Sequence, residues 1–114
     1  MDAPTPRPDA VLQQLDEAGV LLVTWNRPQK KNAFDDVQWD AASAALRDAR
    51  QNPRVAAVVV TGAGSDFSAG VDLSSFTQRA GPRADGHPSA YHAFMEVLVA
   101  FDKPLLAAAK GVGI

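Results

Sequence analysis

A short valine-rich run that leads directly into a glycine-bearing loop is the strongest constraint on how this chain folds. Residues 55–61 are apolar and rich in valine, and the run is too short for a typical helix. It is predicted to be a strand buried on both faces, as in a parallel sheet. The loop of residues 62–70 follows, and residues 71–76 then resume the apolar spacing of a helix. The chain is therefore predicted to run from a buried strand through a glycine loop into a helix.

The segments on either side of this unit alternate between strand and helix patterns. Residues 16–19 have turn chemistry and separate two apolar runs, residues 11–15 and 20–25, which predicts a β-hairpin. Residues 35–51 are predicted to form the longer of two helices, because this segment begins with aspartates and ends with arginines, the order that a helix dipole favours. Lys103 and Pro104 end the second helix, and the apolar run after them is interpreted as another buried strand. The predicted strands are residues 11–15, 20–25 and 105–109, the predicted helices are residues 35–51 and 90–101, and their alternation indicates an α/β fold.

The length of 114 residues corresponds to one small domain. Three prolines near the start predict a disordered tail over residues 1–9, so that residues 10–114 carry the fold. Near the end, Gly111 and Gly113 repeat the strand-to-glycine pattern of residues 55–70, but no helix pattern follows them. We interpret the chain as a domain that is interrupted within a motif.

Composition excludes several classes of function. A net charge of −2 leaves no basic face for a nucleic-acid backbone, and the lack of cysteine excludes a disulfide framework and thiolate zinc sites. No metal site is predicted. No uninterrupted apolar run reaches the roughly 18 residues that cross a bilayer, and the polar, proline-rich start is unlike an export signal. The expectation is a cytoplasmic protein that acts on a small molecule and contacts neither nucleic acid nor membrane.

The start of the helix after the glycine loop is the candidate for chemistry. Backbone N–H groups are unpaired at a helix start, where the dipole also favours negative charge. Gly70 would permit a close approach by a substrate, and the N–H of Val71 would stabilise an oxyanion whatever its side chain. The alternative is an ordinary strand-to-helix turn with Asp72 in the first helical turn. Spacing alone does not decide between the two.

Two other interpretations of the same loop are weaker. A dinucleotide-binding fingerprint needs a third glycine where Phe67 stands. A serine-hydrolase elbow would use Ser68 with His87 or His92 as base, but it needs a small residue where the sequence has Asp66. We therefore interpret Ser68 as a loop hydroxyl and both histidines as solvated.

Three separate segments together resemble the enoyl-CoA hydratase/isomerase (crotonase) family in order and spacing. They span residues 20–33, 58–73 and 103–111, and their distinctive residues are Asn26, Arg27, Pro28, Asn32, Phe67, Gly70, Asp72, Lys103, Pro104 and Gly111. The resemblance covers about residues 11–114. It implies the crotonase-like (ClpP/crotonase) fold, a spiral of ββα units that is incomplete at the C-terminus here.

The resemblance also implies roles for individual residues. The backbone N–H of Val71, placed by Gly70, would be the first of two donors to the thioester carbonyl, and the backbone of Ala69 would lie near the coenzyme A adenine. Lys30 and Lys31 could hold coenzyme A phosphates as point charges, with a solvated turn as the alternative.

Other residues of the matching segments have mainly structural roles in this interpretation. Asp72 is grouped with the substrate-binding residues, chiefly as a charge at a helix start. Asn26, Arg27, Pro28 and Asn32 are expected to be turn and packing residues.

The implied activity is that of an acyl-CoA enzyme, a hydratase or an isomerase acting through an oxyanion-stabilised enolate. Coenzyme A is then part of the substrate, and no separate cofactor is expected. In the family, the second N–H donor and the acid/base glutamates lie beyond residue 114, and neither Glu17 nor Glu96 matches them. A full-length parent is expected to be a homotrimer or hexamer. The alternative is a truncated, non-catalytic coenzyme A-binding or interaction fragment.

Overall fold

An N-terminal hairpin opens a mixed sheet, and two helices are associated with it. The computed structural model describes residues 9–68 and 89–109. Within those ranges the elements are β1 (Val11–Leu15), β2 (Val20–Trp25), a 3-10 turn (Pro28–Lys30), α1 (Asp36–Gln51), β3 (Ala57–Gly62), α2 (Ala90–Ala100) and β4 (Leu105–Ala107).

The sheet has the strand order β1-β2-β3-β4. β1 pairs with β2 in the antiparallel sense through a turn at Gly19, whose φ of +92° is unfavourable for other residues. β3 pairs in parallel with β2 on one side and with β4 on the other. The carboxyl ends of β2 and β3 therefore lie side by side, with Trp25 opposite Gly62. This register brings the loops that follow these two strands together.

Helix α1 forms where its capping residue and its apolar spacing agree. The Asp35 side chain accepts a hydrogen bond from the backbone N–H of Gln38 at 2.9 Å, which satisfies one unpaired donor of the first turn. Small side chains then recur on one face of the helix, and Ala42, Ala45 and Ala49 are buried. Because these side chains are short, neighbouring elements can approach closely, and α1 packs against α2, β1 and β2.

The core lies between the sheet and α1, and its side chains come from alternate positions of the strands. Val23 and Val58 are fully buried. Each buried side chain of this size stabilises the fold by about 2 kcal/mol. At the carboxyl end of β2 the core becomes aromatic: the ring of Trp39 lies 4.4 Å from Phe34 and 5.1 Å from Phe94, measured between centroids. This aromatic group supports the loop that joins β2 to α1.

The hairpin and both helices confirm the sequence predictions to within a residue. Two residues predicted to lie within the helices are their capping residues: Asp35 is the N-cap of α1, and Phe101 is the C-cap of α2. β3 occupies the predicted parallel position but begins at Ala57 and not at residue 55. The prediction that it is buried on both faces was wrong: Val58, Val60 and Gly62 are buried, and the residues that alternate with them are half-buried. The predicted tail before Asp9 and the predicted helix of residues 71–76 lie outside the described residues.

The prediction of a buried strand over residues 105–109 was wrong. The strand is only Leu105–Ala107, all three residues are exposed, and Leu106 is 58% exposed. The physical reason is its position: in the described part of the chain β4 is an edge strand that pairs with β3 alone. Neither helix of this part has the length and apolar character needed to cross a membrane.

Candidate functional site

The candidate site is built on two loops at the carboxyl ends of β2 and β3. The backbone N–H of Ala63 continues the strand pairing and donates to the carbonyl oxygen of Trp25 at 2.9 Å. The first loop follows β2 and turns through Pro28–Lys30. The second loop follows β3 and runs from residue 63 to residue 68. The loops are therefore neighbours from their first residues.

Asn32 connects the two loops. Its side chain is fully buried, and Nδ2 donates to the carbonyl oxygens of Ala63 at 2.9 Å and Asp66 at 2.8 Å. Its Oδ1 accepts from the backbone N–H of Arg27 at 2.8 Å, and its own N–H donates to the carbonyl oxygen of Arg27 at 2.8 Å. A single amide side chain thus closes one loop on itself and holds two points of the other.

Arg27 joins this arrangement to the start of α1. Its guanidinium donates from one terminal nitrogen to the carbonyl oxygen of Ala33 at 2.9 Å. The other terminal nitrogen lies 3.4 Å from Oδ2 of Asp35, and the two side chains are only 11% and 17% exposed. Asp35 also caps the helix, so the loop and the helix start are held by the same carboxylate. An ion pair with so little exposure is screened by solvent far less than a surface pair.

The second loop leaves β3 at a glycine because a side chain does not fit there. A Cβ on Gly62 would collide with the carbonyl oxygens of Asp66 and Phe67 and would lie 2.7 Å from Nδ2 of Asn32. The loop folds back over this glycine, and Ser68 at its end donates from Oγ to the carbonyl oxygen of Asn32 at 2.9 Å. The close approach of backbone to backbone is what makes the loop compact.

The contacts of Ser68 argue against the serine-hydrolase interpretation. Ser68 is 5% exposed, and its hydroxyl donates to a backbone carbonyl, so Ser68 is a loop hydroxyl as predicted. His92 lies on α2, where its Nε2 is 3.2 Å from Oε1 of Glu96, and both side chains are more than 60% exposed. Residue His87 lies outside the described residues. Residues 9–68 and 89–109 contain no group of three or more His, Asp or Glu side chains arranged to hold a metal ion.

Lys30 and Lys31 lie together in an exposed turn. Lys30 ends the 3-10 turn, and Lys31 has a left-handed backbone with φ of 51° and ψ of 36°. Neither ammonium group forms an ion pair with the residues that the structure describes. Both charges therefore project from the first loop, directly before Asn32, and are accessible to an anionic ligand.

Four of the predicted site residues, Ala69, Gly70, Val71 and Asp72, lie outside the described residues. Ser68 directly precedes Ala69, so the described contacts hold the chain up to the first of them. Asn26, Arg27, Pro28 and Asn32 are turn and packing residues, as predicted: Asn26 Nδ2 donates to the carbonyl oxygen of Asp9 at 2.9 Å, and Pro28 opens the 3-10 turn. The sequence did not predict the connecting role of Asn32, because its two partners lie 31 and 34 residues further along the chain.

Comparison with known proteins places this geometry in a family. Residues 16–114 match the family model described as enoyl-CoA hydratase/isomerase. The chain belongs to the enoyl-CoA hydratase/isomerase family. Its relatives differ in the reactions for which they are named, and they are longer than this chain.

Two curated relatives and one solved structure illustrate the match. A probable enoyl-CoA hydratase of Mycobacterium tuberculosis is 38% identical over 107 residues, which are 93% of this chain and 41% of that protein. Enoyl-CoA delta isomerase 2 of Rattus norvegicus is 34% identical over 101 residues, 86% of this chain and 26% of that protein. The crystal structure of an enoyl-CoA hydratase from Mycobacterium marinum has a TM-score of 0.75 at 36% identity, and the match covers 88% of this chain and 47% of that chain.

These matches confirm the resemblance seen in the sequence. The sheet, α1 and α2 are part of a crotonase fold, and the α/β class is correct. The chain spans less than half the length of each of the three enoyl-CoA hydratase/isomerase family members above.

Proposed function

We propose that this chain supplies the first oxyanion donor and part of the coenzyme A site of an enzyme that acts on acyl-CoA thioesters, as an enoyl-CoA hydratase or isomerase. One observation carries the proposal. In a member of this family, the loop of residues 63–68 is held at three points by Asn32 and runs directly into Gly70 and Val71. A backbone donor is useful for catalysis only when the loop that presents it is held in place beforehand.

The chemistry needs a fixed donor at the thioester oxygen. Removal of a proton from the carbon next to the carbonyl leaves an electron pair that moves onto that oxygen as an enolate. Addition of a nucleophile at the third carbon of a 2-enoyl thioester places charge on the same oxygen. The Val71 N–H would donate to it in both reactions, and one such donor typically accounts for about 3 kcal/mol of transition-state stabilisation.

The two reactions differ in what they require of acid and base groups. Hydration adds water across the 2,3 double bond and usually needs two carboxylates, whereas a shift of the double bond can proceed with one. Glu17 is exposed in the hairpin turn, and Glu96 is paired with His92 on the surface of α2. We assign neither a role, and the proposal therefore keeps both reactions.

Coenzyme A would enter as part of the substrate. Lys30 and Lys31 are the exposed cations of the first loop, and they would attract its phosphates. The proposal keeps the backbone of Ala69 near the adenine and Asp72 as a charge at the helix start. No separate cofactor takes part.

The exposed Lys30 and Lys31 favour one second candidate, because their charges can bind phosphates without any acid/base group. In this candidate, the chain binds coenzyme A without catalysis, as a half-site or interaction fragment. It would retain the phosphate-binding turn and the first oxyanion donor and would lack turnover.

The experiment begins with the intact mass of the protein from its natural source, which defines the chain to be expressed. That protein is then assayed with a trans-2-enoyl-CoA, whose conjugated absorbance falls on hydration, and with a 3-enoyl-CoA, whose absorbance rises on isomerisation. Turnover of either substrate supports the proposal and names the reaction. Calorimetric binding of coenzyme A without turnover supports the second candidate, and the absence of both binding and turnover contradicts both.

A further inference from the structure

We propose that Asn32 is a positioning residue for the loop of residues 63–68, whose place its side-chain amide sets through Ala63 and Asp66. This inference rests on the proposed function for its catalytic consequence. Its structural half, that Asn32 holds residues 63–68 in place, stands on the contacts alone.

The geometry uses every hydrogen-bonding group of the amide. Both Nδ2 donors are directed to carbonyl oxygens of the second loop, at 2.9 Å for Ala63 and 2.8 Å for Asp66. Oδ1 accepts from the N–H of Arg27 at 2.8 Å. Asn32 is 0% exposed, so water does not replace these partners when one is lost. Only an amide side chain of this length has both two donors and an acceptor in this arrangement.

A turn on its own does not need these contacts. Asn32 has a φ of +56°, and glycine or aspartate would also be accepted in a left-handed backbone of that kind. The two donor contacts, however, leave the first loop and fix the second loop at two points that are three positions apart in the chain, residues 63 and 66. The Oγ of Ser68 then donates back to the carbonyl oxygen of Asn32 at 2.9 Å. The Asn32 side chain therefore holds the second loop as well as shaping the first loop, in which it lies.

The same contacts link the first loop to the donor. Lys30 and Lys31 directly precede Asn32 in the chain, and Ser68 directly precedes the segment of Ala69 to Val71. A displacement of about 1 Å between a donor and the reacting oxygen can lower a rate by about two orders of magnitude. Loss of the two Nδ2 donors would therefore affect kcat more than the KM for the acyl-CoA substrate, since Asn32→Asp keeps the Oδ1 acceptor that closes the loop carrying Lys30 and Lys31.

The test compares the isosteric change Asn32→Asp with Asn52→Asp in the full-length protein. Asn32→Asp retains the acceptor for Arg27 and replaces both donors to the second loop by a carboxylate oxygen. Asn52 lies at the far end of α1, where its Oδ1 accepts from the N–H of Arg54 at 3.0 Å, and aspartate keeps that contact. Asn32→Gly is the second variant, because glycine accepts the left-handed backbone without a new charge. Val55→Ala is a control for a general loss of stability, since Val55 is buried at the amino-terminal side of β3.

Hydrogen exchange and steady-state kinetics are measured on all four variants. We expect Asn32→Asp or, if that variant does not fold, Asn32→Gly to raise amide exchange in residues 63–68 by about tenfold or more while β2 and β3 stay protected. We expect kcat to fall about tenfold or more with KM within about threefold, and Asn52→Asp and Val55→Ala to keep kcat.

Unchanged exchange in residues 63–68 of the Asn32 variants would overturn the positioning role. A kcat no lower than that of Val55→Ala, despite increased exchange, would overturn its catalytic consequence. If the wild-type protein turns over no acyl-CoA, the proposed function fails by itself, and the exchange data still decide whether Asn32 holds the loop.

Discussion

The Lys103 side chain donates from Nζ to the carbonyl oxygen of Ala49 at 2.7 Å, and this contact joins the segment before β4 to the last turn of α1. The same ammonium group donates to the carbonyl oxygen of Asn52, also at 2.7 Å. Carbonyl groups at a helix end have no partner within the helix, and the helix dipole favours a positive charge there. A lysine that the sequence suggested only as the end of α2 therefore closes the end of a different helix.

Replacing Lys103 by methionine should lower the free energy of unfolding by about 2 kcal/mol, since two hydrogen bonds from a half-buried charged group are lost and the apolar stem is kept. Lys30→Met is the matched control, because Lys30 is exposed and its loss should change stability by less than about 0.5 kcal/mol. Urea unfolding followed by circular dichroism measures both. Equal midpoints for the two variants would show that the Lys103 contacts add nothing to stability.

Two serine-to-alanine substitutions should change stability in opposite directions. Ser43 is 4% exposed, and its Oγ has no hydrogen-bond partner among the residues that the structure describes. Alanine removes this buried polar atom and favours the helix, so Ser43→Ala should raise the free energy of unfolding by about 1 kcal/mol. Ser89 caps α2 and accepts from the N–H of His92 at 3.1 Å, so Ser89→Ala should lower it by about 1 kcal/mol.

Thermal or urea unfolding of the two serine variants provides a test in which the chemical change is the same. Opposite signs are expected. A loss of stability in Ser43→Ala would mean that its hydroxyl has a favourable interaction that alanine cannot replace, and the interpretation of Ser43 as an unsatisfied group would then be wrong.

The sequence predicted elements well where the controlling interactions are local. The β-branched, apolar run of β2 and the aspartates at the start of α1 lie within a few residues of what they specify, so these elements were predicted to within a residue. Burial of β4 was predicted wrongly, since an apolar run has the same composition in a central and in an edge strand. Only the sheet order shows that Leu106 is exposed.

The candidate site shows the same division. The turn chemistry of Pro28 and Asn32 was visible in the sequence because each residue shapes the backbone of its own loop. The contacts of Asn32 with Ala63 and Asp66, and that of Lys103 with Ala49, join residues more than 30 positions apart. A single sequence contains no pattern that pairs such distant residues, so these contacts are seen only in the folded structure.

Gly62→Ala should destabilise the protein far more than Gly64→Ala. A Cβ at position 62 meets two backbone carbonyl oxygens and lies 2.7 Å from Nδ2 of Asn32, none of which can move without opening the loop. We expect a loss of about 3 kcal/mol. A Cβ at position 64 lies 3.2 Å from the Cβ of Pro28, and the backbone has a φ of +78°, which together should cost about 1 kcal/mol. Chemical denaturation gives both values, and a smaller loss at position 62 than at position 64 would contradict the close approach of the loop.

The phosphate role of Lys30 and Lys31 can be separated from any effect on the fold by the choice of substrate. An acyl-pantetheine thioester has the same reacting atoms as an acyl-CoA but lacks the nucleotide phosphates. In the double variant Lys30→Met with Lys31→Met, the KM for the acyl-CoA should rise about fivefold and that for the acyl-pantetheine should stay unchanged. The left-handed backbone at position 31 is equally unfavourable for lysine and methionine, so the substitution itself adds no strain.

The control for this double variant removes the same charge elsewhere. Arg47 and Arg54 are exposed on α1 and on the segment before β3, and replacing both by methionine should leave both KM values unchanged. Higher ionic strength should reduce the difference between the lysine variant and the wild type, because exposed charges are screened over about 10 Å at 0.1 M salt. If the KM for acyl-pantetheine rises as much as that for acyl-CoA, the lysines do not act through the phosphates, and they are then residues of a solvated turn.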